Sequence, residues 1–261
     1  MWIDTHCHLD APEFSGSLPD IISAAQNKNV QAILLPTVKA ADCQNVKELT
    51  AKYSNQLQAG DLGIVDQQIA QSLSDPRFVG VGEIGLDYFV EDLDPQQQDL
   101  IFNAQLDLAE KYQLPVILHV RRSQDAILKA LRRRNIPGGI AHAFNGSMQQ
   151  AEQFIALGFK LGFGGAATYE RALQIRRLLK DLPLESIVTE TDAPDIPPAW
   201  LRSEGIRFNE PAFLPRIARE LAANRGIDEV VFAQAVWRNA MHVLPRWSAL
   251  CATNPTLSIV S

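Results

Sequence analysis

Short apolar runs alternate along the chain with longer amphipathic segments, and that rhythm predicts strands alternating with helices around a parallel sheet. Trp2–Ile3 opens a first strand, and Leu18 to Asn27 follows as a helix with Leu18, Ile21, Ile22 and Ala25 at helical spacing. Val30 to Val38 reads as the second strand and Ala41 to Tyr53 as a helix. Leu57 to Gly60 is expected to be a short or irregular third strand, with a brief helix from Val65 to Leu73 behind it. Arg77 to Phe89 gives strand four, with Glu83 at its tip and Asp87 and Tyr88 in the loop beyond it, and Pro95 opens a helix to Tyr112, since proline suits the first helical position. Leu114 to Arg122 is strand five, with Ser123 as the expected N-cap of a helix to Arg134. Gly138 to Gly146 is strand six with its loop, and Ser147 caps a helix through Leu157. Phe159 to Gly165 is strand seven, Tyr169 to Asp181 a helix, and Ser186 to Pro194 strand eight. Two further helices are expected, Pro211 to Asn224 and Asp228 to Leu244. The sum is an α/β chain, a TIM-like (β/α)8 barrel, with residues 1–261 forming one domain.

The polar residues that end these runs are not a random set. His6 and His8 stand at i and i+2 after the first strand, so an extended backbone turns both imidazoles to one face. His119 follows Pro115-Val-Ile-Leu, His142 follows Gly139-Ile-Ala, Glu83 follows Phe78-Val-Gly-Val-Gly, and Asp192 follows Ile187-Val-Thr-Glu-Thr. In a parallel barrel the carboxyl ends of the strands gather at one rim, where active sites are built. Six nitrogen and oxygen donors converging there point to a binuclear metal hydrolase. Glu83, with two oxygens, is the natural bridge between two ions. Asp192 can ligate and also accept a proton from an attacking water. The mixed imidazole and carboxylate set suits Zn²⁺ or Mn²⁺ and tolerates Mg²⁺, and the sequence does not choose among them.

Neighbouring residues carry weaker signals. Glu190 shares the face of Asp192 and either orients a ligand histidine or sits in a buried ion pair. Arg121 shares the face of His119, either to meet a substrate phosphate or as a solvated loop cation. Cys7 points away from the flanking histidines and is expected to pack. His242 lies away from every strand end, and a structural or surface role is expected for it.

Composition narrows the setting. A hydrophobic share of 46% over 261 residues can bury a large core. The net charge of −6 argues against broad electrostatic attraction to nucleic acid, although paired divalent ions would concentrate positive charge at one point. Three cysteines, Cys7, Cys43 and Cys251, make no CxxC pair and suggest a reducing compartment. With no leader-like or membrane-length run, a cytoplasmic protein with no membrane partner is expected, and a monomer is favoured.

Taken together, IDTHCHLD, VGEIGLDYF, LPVILHVRR, AHAFNGS, KLGFGGAATY and VTETDAPDIP resemble the successive blocks of the TatD family of metal-dependent deoxyribonucleases, with weaker echoes at Asn209-Glu-Pro211 and Asn239-Ala240. The resemblance implies a TIM-like barrel and divalent-metal phosphodiester hydrolysis of DNA, often as a 3′-to-5′ exonuclease. It places His6, His8, Glu83 and Asp192 on one metal, and Glu83, His119 and His142 on the other. One block departs: the Gly-x-His-Pro that family members usually carry at the end of the third strand is absent between Ala59 and Val65. Two other readings stand beside the deoxyribonuclease. One is a metal-dependent hydrolase of a small-molecule or aminoacyl-tRNA ester or amide. The other is a catalytically weakened barrel that serves as an interaction protein.

Overall fold

The computed structural model describes residues 1–36, 59–253 and 258–260. Within them the chain is an α/β structure in which every strand pairing is parallel. The strands are β1 (Trp2–Asp4), β2 (Val30–Leu34), β3 (Val81–Asp87), β4 (Val116–Arg121), β5 (Gly139–Ala141), β6 (Phe159–Phe163), β7 (Ile187–Thr189) and β8 (Ser258–Val260). The helices are α1 (Leu18–Asn27), α2 (Ala59–Ser72), α3 (Pro95–Tyr112), α4 (Gln124–Leu131), α5 (Met148–Ala156), α6 (Leu173–Asp181), α7 (Leu214–Arg225), α8 (Glu229–Val243) and α9 (Pro245–Thr253).

Strands β3 to β7 form one sheet in sequence order, and β1, β2 and β8 form another, with β2 in the middle. Backbone bonds stitch the two together beside β1. Thr5 N donates to Thr189 O at 3.0 Å, Asp192 N donates to His6 O at 2.8 Å, and Cys7 bridges Ala193 in parallel. The curved array therefore runs β8-β2-β1-β7-β6-β5-β4-β3, a TIM-like arrangement in which no pairing between β8 and β3 closes the ring among the described residues.

The expected third strand is corrected here. Leu57 and Gln58 lie outside the described residues, and Ala59 and Gly60 begin α2 instead of ending a strand. The edge of β2 where a third strand belongs is taken by β8, with Ala32, Ile33 and Leu34 opposite Ser258, Ile259 and Val260. A strand of three residues is too short for its alternation to be read locally, so nothing in the pattern announced it. The expected helix Ala41 to Tyr53, and Cys43, lie outside the described residues. Strand two ends at Leu34 and strand eight at Thr189, both earlier than expected, and the helix after strand seven begins at Leu173.

Local signals explain most boundaries. Asp94 accepts from Gln96 N at 2.9 Å ahead of Pro95, Ser147 and Gln150 form a reciprocal capping box, and Asp228 accepts from Val230 N. Ser123 does not cap α4; its hydroxyl donates to Leu86 O at 2.6 Å and ties that helix start to the end of β3.

Two apolar layers hold the array. One, with Phe102, Leu106, Phe154, Phe159, Leu178 and Ile217, fills the space between strands and outer helices. The other contains Ile117, Ile140 and Val188, two residues before His119, His142 and Glu190 on the same strand faces, with Leu244 and Trp247 joining it from the last helices. That packing leaves the carboxyl ends of the strands as the place where polar side chains emerge. Buried Asn239 of α8 locks the same region by donating to Leu184 O at 2.8 Å and Ile187 O at 2.7 Å. Replacing Asn239 by Leu strands two buried carbonyls and is expected to lower stability by ~1–3 kcal/mol in urea unfolding.

Candidate metal centre

The strand ends bring all six expected donors into one cluster. His6 is fully buried, His142 and Asp192 nearly so, and His8, Glu83 and His119 partly. Glu83 lies at the centre with its two oxygens turned to different partners. Oε2 is 3.4 Å from His6 Nε2 and 3.9 Å from His8 Nε2. Oε1 is 2.9 Å from His119 Nδ1 and 2.8 Å from His142 Nε2. Asp192 Oδ1 stands 3.5 Å from both His6 Nε2 and His8 Nε2, and those two nitrogens are 3.2 Å apart. His6 and His142 stack with ring centroids 3.9 Å apart.

These separations can be tested against what a cation needs. Four donors at ~2.1 Å from a tetrahedral ion are ~3.4 Å from one another. His6 Nε2 and His8 Nε2 stand 3.2 to 3.9 Å from one another, from Glu83 Oε2 and from Asp192 Oδ1, so that set fits a cation with little movement. His119 Nδ1 and His142 Nε2 are 3.4 Å apart and share Glu83 Oε1 at hydrogen-bond distance, so a cation there needs that oxygen to draw back slightly. His6, His142 and Asp192 also bring donor atoms within reach of a common point.

The electrostatics match the geometry. Glu83 is held well below the usual carboxylate range: burial opposes this, and the surrounding imidazoles, His142 and His6 foremost, outweigh burial. Asp192 is lowered in the same way, with His8 the main partner against burial. Burial and neighbouring His142 bring His6 down to about 4, which leaves its lone pair free at neutral pH. His142 moves the other way, to about 10, because Glu83 outweighs burial.

Around the donors stands a supporting shell that the sequence only partly announced. Asp87 was read simply as a loop residue; it ends β3 instead, with Oδ2 3.2 Å from His119 Nε2, so it can fix that ring while Nδ1 faces Glu83. The signal was available, because Glu83 and Asp87 are four apart and an extended strand puts both on one face. Asp4 is also a supporting residue: its carboxylate accepts from Thr191 N at 2.9 Å and Thr191 Oγ1 at 2.6 Å, and burial raises it to about 7. Asn209 donates to Thr191 O at 2.7 Å and reaches Asp195 O and Ile196 O, clasping the turn that carries Asp192. Glu190 accepts from Ala143 N at 2.5 Å and lies 4.0 Å from His142 Nδ1, beside that histidine but beyond a direct hydrogen bond. Arg121 is half exposed, 3.6 Å from Asp87 at the rim, and Cys7 is fully buried in the core as expected.

Glycines make the space for Glu190. A methyl group at Gly162 would run into its carboxylate, and one at Gly164 would meet its carbonyl oxygen. Gly162→Ala is therefore expected to destabilise the fold by ~1–3 kcal/mol, read as a lower urea midpoint.

Residues 3–245 match the model of the TatD related DNase family. The uncharacterised metal-dependent hydrolase YjjV of Escherichia coli K12 is 37% identical over 250 residues, covering 91% of this chain and 95% of that protein. A Klebsiella pneumoniae protein named 3′-5′ ssDNA/RNA exonuclease TatD is 31% identical, covering 85% of this chain and 90% of its own length. The crystal structure of YjjV, a TatD homologue, matches with a TM-score of 0.84 at 34% identity, covering 94% of this chain and 98% of that one.

Proposed function

Since the chain belongs to the TatD-related DNase family of metal-dependent hydrolases, we propose that it cleaves phosphodiester bonds of DNA with two divalent cations held on either side of Glu83. The observation that carries this reading is the split of the Glu83 carboxylate, one oxygen toward His6 and His8 and the other toward His119 and His142. His6, His8 and Asp192 with Glu83 would hold one cation, and His119 and His142 with Glu83 would hold the other. Zn²⁺, Mn²⁺ and Mg²⁺ all suit such donors. Bound there, the cations supply charge that polarises the phosphodiester and acidifies water.

The chain's own groups do the rest. Asp192 stays ionised at neutral pH and stands at the edge of the cluster, where it accepts the proton of the attacking water. Asp87 keeps His119 oriented. Arg121, at the exposed rim, offers donors to the phosphate as charge develops on it. Relatives bearing the exonuclease name support single-stranded nucleic acid as substrate and 3′-to-5′ cleavage as its direction. The whole chain acts as one catalytic domain, in the cytoplasm. No described helix is long and apolar enough to cross a membrane.

Replacing Glu83 by Gln keeps the shape of the side chain and removes the charge that both donor sets share. Metal content by emission spectrometry and hydrolysis of single-stranded DNA are expected to fall together. DNA, RNA, phosphomonoesters and carboxylic esters assayed side by side identify the bond; turnover of esters with none of DNA would overturn the phosphodiesterase reading.

The pH dependence follows from His142. Its raised pKa, about 10, means that it carries a proton at neutral pH when no cation is present and must release it to ligate one. Affinity for the divalent ion is thus expected to rise from pH 6 to pH 8, by about tenfold per unit for each proton displaced. Calorimetric titration of the chelator-stripped protein at the two pH values checks this, and equal affinities would take His142 out of the ligand set.

A further inference from the structure

Beyond the donor cluster, the loop that leaves β3 carries an unusual surface. Tyr88, Phe89 and Val90 are 37%, 45% and 40% exposed, three consecutive large apolar residues open to solvent. Over the Phe89 ring lie two guanidiniums, Arg121 Cζ at 3.9 Å and Arg122 Cζ at 4.6 Å from its centroid. Neighbours on a strand ordinarily point to opposite faces. Here Arg122 has left the extended conformation for φ of +56°, and both arginines reach the same ring. A non-glycine residue in the left-handed region is disfavoured and persists where its surroundings hold it.

This surface is joined to the donor cluster by direct contacts. Asp87 Oδ1 accepts from Phe89 N at 2.8 Å and Val90 N at 3.3 Å, while Oδ2 is 3.2 Å from His119 Nε2 and 3.6 Å from Arg121 Nη1. Tyr88 N donates to Arg121 O at 2.9 Å. One carboxylate thus fixes the exposed aromatic on one side and a ligand candidate on the other. The ring, the guanidinium and the imidazole stand in one line of contacts from rim to centre.

We propose that Phe89, with Arg121 and Arg122, is a stacking platform for a nucleobase of single-stranded nucleic acid next to the scissile phosphate, and so a substrate-binding residue. The proposal rests on the phosphodiesterase reading above and assigns the contact that tells a base-bearing strand from a bare phosphodiester. Exposed aromatic faces beside arginines are what a single strand requires: π-faces for bases, cations for the backbone. Paired bases in a duplex do not offer that face, so the platform selects unpaired ends.

The test compares an oligothymidylate with a chain of equal length whose nucleotide beside the scissile phosphate is abasic. Wild-type protein is expected to show KM about tenfold lower for the base-bearing chain, and Phe89→Ala to abolish that preference. Phe89→Trp, which offers a larger face, keeps it. A preference that survives Phe89→Ala, or one that Phe89→Trp loses as well, overturns the platform. Binding read separately, as fluorescence anisotropy of labelled oligothymidylate on the Asp192→Asn protein, keeps the two readings apart. Loss of affinity on adding Phe89→Ala, with no phosphodiester turnover by the wild type, would uphold the platform and refute the nuclease. Turnover indifferent to Phe89 would do the reverse.

Discussion

A carboxylate buried among four imidazoles is the arrangement that the rest of this molecule serves. Removing Glu83 and Asp192 from water while both stay ionised is unfavourable unless positive charge comes with them. The protein meets that requirement in either of two ways. Without cations, protons supply the charge, and His142 holds its proton far above the ordinary imidazole range. With cations, those protons must leave. On the proposed reading the centre is an exchange site in which protons and divalent ions compete for the same lone pairs. Glu83 decides the competition, since both donor sets lean on it.

Holding such a cluster open demands a rigid frame, and the turn after β7 supplies the hardest part. Asp192 has φ of +57°, a conformation that an aspartate tolerates but does not prefer. Its own N–H donates to His6 O, Asp195 N returns to its carbonyl, and Thr191 is fixed by Asp4 and Asn209. The bonds to His6 and Asp4 cross between the first and last thirds of the chain, so the segment that brings His6 and His8 also sets the backbone of Asp192. Burial raises the Asp4 carboxyl to about 7, so near neutral pH it adds only part of a further negative charge beside Glu83 and Asp192.

How much of this the sequence carried depended on the range of each signal. Period-two spacing at strand ends placed His6, His8, Glu83, His119, His142 and Asp192 together before any coordinates, because alternation is a local property of the chain. Their grouping into two sets came from family resemblance, and the donor distances are compatible with it. Asp87 was passed over because the strand was taken to stop at Glu83, whereas the register shifts between Val81 and Ile84 and β3 continues to Asp87. The cap assigned to Ser123 failed for a tertiary reason, since its hydroxyl found Leu86 O first. The replacement of a third strand by Ser258–Val260 was invisible because pairing between residues more than two hundred positions apart leaves no local trace.

The missing Gly-x-His-Pro block and the late strand bear on one another. A sheet edge left open at β2 exposes unpaired N–H and C=O groups, which must find partners. β8 supplies them in parallel, and among the described residues the last strand in chain order stands at the end of the array, beside β2. None of the six donors comes from β2 or β8: His6 and His8 follow β1, Glu83 and His119 lie in β3 and β4, and His142 and Asp192 follow β5 and β7. The exposed rim of β3 and β4 carries Phe89 with Arg121 and Arg122 over its ring, beside the donor cluster. In a chain of net charge −6, a general attraction to polyanions is absent, so the proposed nucleic-acid substrate depends on local cations such as those at this rim.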